Sequence, residues 1–109
     1  MLRFRATRSS IALVVAAMLS TGWAGPAPAT GDKALGEYLS SECVTCHQLS
    51  GANVGIPPIV GWPDDSFIEI MNEYRQKKRT NPLMQTIASR FSNEEIAALA
   101  AYFGSVKRR

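Results

Sequence analysis

Histidine and cysteine are scarce in this sequence of 109 residues: there is one histidine, His47, and there are two cysteines, Cys43 and Cys46. A lone histidine excludes any metal site built on a pair of imidazoles from this chain. With no further Cys or His to complete a set of four, these three residues fall short of a structural zinc site. Two cysteines allow one disulfide at most, which excludes a disulfide framework. No segment alternates apolar and polar residues in the manner of a half-buried strand. No internal repeat recurs, and no apolar run reaches the roughly 20 residues that a spanning helix needs. An excess of charge of one sign is missing too. The three arginines Arg3, Arg5 and Arg8 account for the formal charge of +3, and from Thr30 onward nine basic residues face nine acidic ones. The basic balance belongs to the first residues and gives no case for nucleic-acid binding.

Those first residues have the composition of a secretory leader. The arginines precede the unbroken apolar run Ile11-Ala12-Leu13-Val14-Val15-Ala16-Ala17-Met18-Leu19, and small residues and prolines follow over residues 22–30. A basic start, a short apolar stretch and a small-residue exit describe a signal peptide. Ala27-Pro28-Ala29 fits its cleavage pattern, which gives a leader of residues 1–29 and a mature domain of residues 30–109; cleavage after Ala24 is the alternative. The expected location is the periplasm, with no membrane span left after processing. The remaining chain, about 80 residues, is small for a domain held by a hydrophobic core alone.

Helical patterns fill the mature part. Residues 32–41 read as a short helix with Leu35, Tyr38 and Leu39 on one face. Residues 48–63, rich in Gly, Pro and Asn, read as loop. Asp64 and Asp65 are expected to cap a second helix, along which Phe67, Ile70, Met71 and Tyr74 recur at helical spacing. Lys77, Lys78 and Arg79 suit the negative end of its dipole. Residues 80–91, containing Asn81-Pro82, read as a second loop, with room for a short helical turn. The last helix is the best marked. Ser92 and Glu95 form a capping box, Phe91 and Ile96 a hydrophobic staple, and Ile96, Leu99, Ala100 and Phe103 an apolar stripe.

Between the first helix and the first loop stands Cys43-Val44-Thr45-Cys46-His47, the C-x-x-C-H pattern of c-type haem attachment. Two thiols three positions apart reach the two vinyl groups on one edge of the macrocycle, and the following histidine lies beneath the ring, where it can bind iron. A covalent haem also supplies core to an undersized domain. A thioredoxin-like pair needs a strand before the motif, and none is legible. A structural disulfide leaves His47 without a purpose. For the sixth position the candidates are Met71, Met84, a lysine or an open site. Met71 falls on an apolar helix face, where methionine usually packs. Met84 falls in an irregular loop that can aim a thioether at a metal, and is preferred. Arg75, Arg79, Trp62 and Tyr74 are either hydrogen-bond donors to the haem propionates or parts of a solvated face and an aromatic core.

Over residues 32–106 the chain resembles the class I c-type cytochromes. The resemblance rests on Gly36 before the haem motif, on Ile56-Pro57-Pro58-Ile59-Val60-Gly61 after it, and on Asn81-Pro82-Leu83-Met84 before the final helix. It implies a small all-α fold around one covalent haem c, with Gly36 against Tyr102 where the terminal helices cross. It also implies that the Pro57 carbonyl fixes the histidine ring, with Pro58 as the alternative, and that His47 and Met84 are the iron ligands. More narrowly, Gly55-Ile56-Pro57 and Arg79-Thr80-Asn81-Pro82-Leu83-Met84 resemble the cytochrome subunit of flavocytochrome c sulfide dehydrogenase. That implies an electron-transfer subunit on a flavoprotein partner. A free periplasmic electron shuttle is the alternative, and a sensor or peroxidase with an open sixth site a third possibility.

Overall fold

The computed structural model describes residue 22 and residues 31–108, so the expected leader, apart from Gly22, lies outside the described residues. Five helices follow in order: α1 (Lys33–Leu39), α2 (Ser41–Val44), α3 (Asp64–Arg75), α4 (Pro82–Ala88) and α5 (Asn93–Ser105). No strand occurs among the described residues, and no helix there is long and apolar enough to cross a membrane.

Helix α5 is the spine. Ser92 Oγ accepts the Glu95 amide at 3.1 Å and Glu95 Oε1 accepts the Ser92 amide at 3.0 Å, completing the expected capping box. Both staple residues, Phe91 and Ile96, are buried. Ala98, Leu99, Ala100 and Phe103 continue the buried side of the helix. The rings of Phe103 and Phe67 lie 5.9 Å apart, nearly parallel, which ties α5 to α3.

Helix α1 crosses α5 where glycine permits it. A Cβ on Gly36 would fall on the Ala98 carbonyl and within 2.8 Å of the Tyr102 Cβ, so backbone and aromatic side chain occupy the space a larger residue would need. Gly31 approaches the Ala97 carbonyl in the same way. The two glycines thus let the backbone at and before α1 rest on that of α5, and at Gly36 this is the close approach that the family resemblance implies. Gly104 repeats the device at the other end of α5, where a Cβ would stand 2.8 Å from Asp64 Oδ1 and 2.9 Å from the Trp62 carbonyl.

Several expectations are corrected. Residues 80–91 are not an irregular loop: Asn81 Oδ1 accepts the Met84 amide at 3.1 Å and Pro82 takes the first helical position, so α4 forms. The asparagine reads as a turn residue in isolation but acts as a cap. Asp64 and Asp65 do not cap α3; Pro63 stands at the cap position and the two carboxylates occupy the first turn, where they favour the dipole without a capping bond. Tyr38 is 79% exposed, because α1 turns its Gly36 side, not its tyrosine, toward α5.

Candidate haem site

The haem motif is wound into one helical turn. The amides of Cys46 and His47 both donate to the Cys43 carbonyl, at 3.2 and 2.8 Å. Residues three and four positions apart on such a turn share a face, so Cys43, Cys46 and His47 all line one cavity of about 450 Å³. The two cysteines are not joined in a disulfide. Cys43 is buried, and that burial, followed by the nearby Glu42 carboxylate, pushes its thiol up to about 11. The wall therefore disfavours a thiolate there and suits an uncharged sulfur such as a thioether.

His47 Nδ1 lies 2.7 Å from the Pro57 carbonyl oxygen. A carbonyl only accepts, so Nδ1 carries the proton and Nε2 is the ring nitrogen with a free lone pair. A partner that fixes the tautomer and ring plane of a metal-binding imidazole is the arrangement such ligands require. The loop that delivers Pro57 is anchored behind it. Ile59 and Val60 are buried, and Gly61, with φ +73°, donates its amide to the Phe103 carbonyl at 2.9 Å.

The rest of the cavity wall is mostly apolar and includes Ile56, Ile59, Phe67, Ile70, Leu83 and Ile87. Met84 lines it from the first turn of α4, with its amide held by the Asn81 cap. Met71 lines it too, from the buried side of α3. The cavity thus brings together Cys43, Cys46, His47, Pro57 and Met84, and adds the second methionine. An apolar chamber with two thiols and an oriented imidazole on one wall and thioethers among its lining fits a covalently held haem. Its size lies within the range of small-molecule sites.

Of the four residues read as either donors to the haem carboxylates or parts of a solvated face and an aromatic core, Trp62, Tyr74 and Arg79 line the cavity and Arg75 does not. The Arg75 guanidinium donates to Asn72 Oδ1 at 3.2 Å and to Asn93 Oδ1 at 2.6 Å, which engages it with the start of α5 instead. Sequence reasoning passed over Glu73, whose carboxylate pairs with Arg79 at 3.0 Å, and Gln85, whose side-chain amide donates to the Arg79 carbonyl at 2.7 Å. Nothing in their spacing marks them, because both act across the turn between α3 and α4. Hydrogen bonding to Glu73, and then to Tyr74, raises the Arg79 pKa further above its ordinary value.

The chain is similar to several known proteins. It is 31% identical to cytochrome c4 of Pseudomonas aeruginosa over 97 residues, covering 87% of this chain and 48% of that one. It is 29% identical to the cytochrome subunit of sulfide dehydrogenase of Chlorobaculum tepidum over 87 residues, 79% of each. It is 33% identical to cytochrome c-554(548) of Halomonas halodenitrificans over 84 residues, 69% of this chain and 96% of that one. The chain spans about half the length of cytochrome c4 but nearly all of cytochrome c-554(548). The family Cytochrome c matches residues 33–107, from the first helix past the last, and with the thiol pair, the oriented histidine and the apolar chamber all inside that span, the chain belongs to the cytochrome c family.

Proposed function

We propose that the protein is a periplasmic one-electron carrier, exported by its leader. In this reading one haem c is held through Cys43 and Cys46, with His47 and Met84 as iron ligands and Pro57 orienting the histidine. The observation that carries the proposal is the pairing of a committed His47 Nδ1 with a thioether-lined chamber. When bound, the haem supplies a one-electron Fe(II)/Fe(III) couple. The residues do the rest. His47 and Met84 would serve as the iron's ligands and leave no place for a substrate, and the apolar wall would exclude water. The two cysteines fix the ring, so little rearranges as the charge changes. A methionine ligand also raises the reduction potential.

The partner we favour is a flavoprotein that oxidises sulfide, since the chain matches the cytochrome subunit of sulfide dehydrogenase over 79% of that subunit. A free carrier is the second reading, favoured by the match to 96% of cytochrome c-554(548). Pyridine haemochrome spectroscopy of the mature protein tests the cofactor: the expected spectrum is that of one haem with both vinyls thioether-linked. Purification from the native cells then separates the partners. A flavin-containing protein co-eluting with the cytochrome is expected; elution of the cytochrome alone supports the free carrier.

A further inference from the structure

We propose that Gln85 is a positioning residue for Met84: its side-chain amide ties α4 to the turn that follows α3, and so sets where the Met84 thioether stands in the cavity. The proposal rests on the reading of Met84 as an iron ligand. Two side chains hold this segment, and they do different things. Asn81 Oδ1 accepts the Met84 amide at 3.1 Å, a bond local to the first turn of α4. It fixes how the helix begins but not where the helix lies. Gln85 Nε2 donates to the Arg79 carbonyl at 2.7 Å, six residues back and outside α4.

The carbonyl that Gln85 grips is itself anchored. The Lys78 amide donates to the Glu73 carbonyl at 2.8 Å and the Lys77 amide to that of Tyr74 at 3.1 Å, the two bonds of a Schellman cap, with Lys77 at φ 59° in the left-handed position. The Arg79 amide joins the Glu73 carbonyl at 3.4 Å. Glu73 in α3, Arg79 in the turn and Gln85 in α4 thus form one hydrogen-bonded path between two cavity walls. Helix α3 gives Ile70 and Met71 to the lining, and α4 gives Leu83, Met84 and Ile87. The other side-chain bonds at α4 stay within the helix and its caps: Thr86 Oγ1 donates to the Pro82 carbonyl at 3.1 Å and Ser89 Oγ to the Gln85 carbonyl at 2.6 Å. Among the described residues, the Gln85 bond is the one from an α4 side chain that reaches beyond them.

The consequence lies in the balance between a bound and an unbound thioether. Gln85 follows Met84 directly, so the bond that fixes α4 against α3 also fixes the Met84 backbone to within one residue. A hydrogen bond of this kind shifts an equilibrium by roughly fivefold. Without it, the share of molecules with the Met84 sulfur off the iron should rise by about that factor. A thioether is a soft ligand and holds Fe(III) less well than Fe(II), so the loosening should show first in the oxidised protein and should lower the potential.

The test uses the haem-loaded protein and two substitutions in α4. Gln85→Met keeps the length of the side chain and the helix propensity but removes the donor. Thr86→Val removes a bond that stays inside α4. The readouts are the long-wavelength thioether band of the oxidised protein as temperature rises, the midpoint potential, the rate of carbon monoxide binding to the reduced protein, and hydrogen exchange at the Met84 and Gln85 amides. Gln85→Met is expected to lose the band at a lower temperature, lower the potential, bind carbon monoxide about fivefold faster and quicken both exchanges. Thr86→Val is expected to leave the band, the potential and the carbon monoxide rate as they are. An unchanged band, potential and carbon monoxide rate in Gln85→Met would overturn the proposal. Equal changes in Thr86→Val would overturn it too, since the effect would then belong to the stability of α4 at large. If Gln85→Met yields no holoprotein, Gln85→Asn decides by the same readouts, because its amide falls one methylene short of the Arg79 carbonyl; no change there overturns the proposal. Failure of the underlying readings would show separately. The unaltered protein would lack a thioether-linked haem spectrum, or Met84→Ala would keep the long-wavelength band.

Discussion

His47 Nδ1 and the Pro57 carbonyl oxygen stand 2.7 Å apart, joined across ten residues of chain. The group that orients the imidazole is main chain, so any residue at position 57 that keeps the loop's path keeps the bond. The proline ring contributes by restricting the unfolded chain. Pro57→Ala is therefore expected to retain the wild-type haem spectrum while losing about 0.4–1 kcal/mol of stability. Denaturant titration of the holoprotein, followed at the haem band, checks this. A variant with an altered haem spectrum would show that the loop's path depends on the ring.

At the helix crossing the sign of a small substitution is reversed from the ordinary. Gly→Ala inside a helix normally stabilises by about 0.5–1 kcal/mol. At Gly36 the added Cβ would meet the Ala98 carbonyl and the Tyr102 Cβ, and backbone cannot step aside as a flexible side chain does. Gly36→Ala should destabilise by about 1–3 kcal/mol, and Gly36→Val by more. Thermal unfolding of the two holoproteins measures it; a gain in stability for the alanine variant would mean the crossing is looser than it stands.

Lys77 is the converse case. It holds φ 59° at the end of α3, where the two capping bonds to the Glu73 and Tyr74 carbonyls demand it. A side chain in that conformation costs roughly 1–2 kcal/mol, part of which glycine returns through its greater freedom when unfolded. Lys77→Gly is expected to stabilise by about 1 kcal/mol, seen as a higher urea midpoint at unchanged slope.

What was legible in the sequence follows from the range of the interactions involved. The capping box at Ser92 and Glu95, the staple at Phe91 and Ile96, and the single turn formed by the haem motif are local, and residue types at fixed spacing reveal them. The meeting of Gly36 with Tyr102 is not local and was reached through family resemblance. The helix at Pro82–Ala88 was missed because Asn81-Pro82 serves a turn and a helix start equally well, and only the Asn81 bond to the Met84 amide decides between them. The caging of Arg79 by Glu73 and Gln85, and the close approaches of Gly31 and Gly104, depend on how α3, α4 and α5 come to lie together, which no spacing encodes.

The two methionines on the cavity wall pose the sharpest question. Read from the sequence, Met84 is a loop residue free to aim its sulfur; the structure puts it instead in the first turn of α4, held by the Asn81 cap. A capped turn holds a side chain more firmly than a loop does, and the proposal of Met84 as ligand rests on that turn. Met71 is 5% exposed on α3 and belongs to the core cluster, the setting of a packing residue, although it also lines the cavity. Met84→Ala is therefore expected to abolish the weak long-wavelength band that a thioether gives with Fe(III), to lower the reduction potential, and to open the iron to carbon monoxide. Met71→Ala should leave the band and the carbon monoxide resistance intact and cost about 2–5 kcal/mol in stability. Asn81→Ala separates the cap from the ligand: it should weaken the band or make it more temperature-sensitive while costing about 1 kcal/mol. Optical spectra of the three oxidised variants, with carbon monoxide added to the reduced ones, decide the matter. Loss of the band in Met71→Ala and its survival in Met84→Ala would transfer the ligand role to α3.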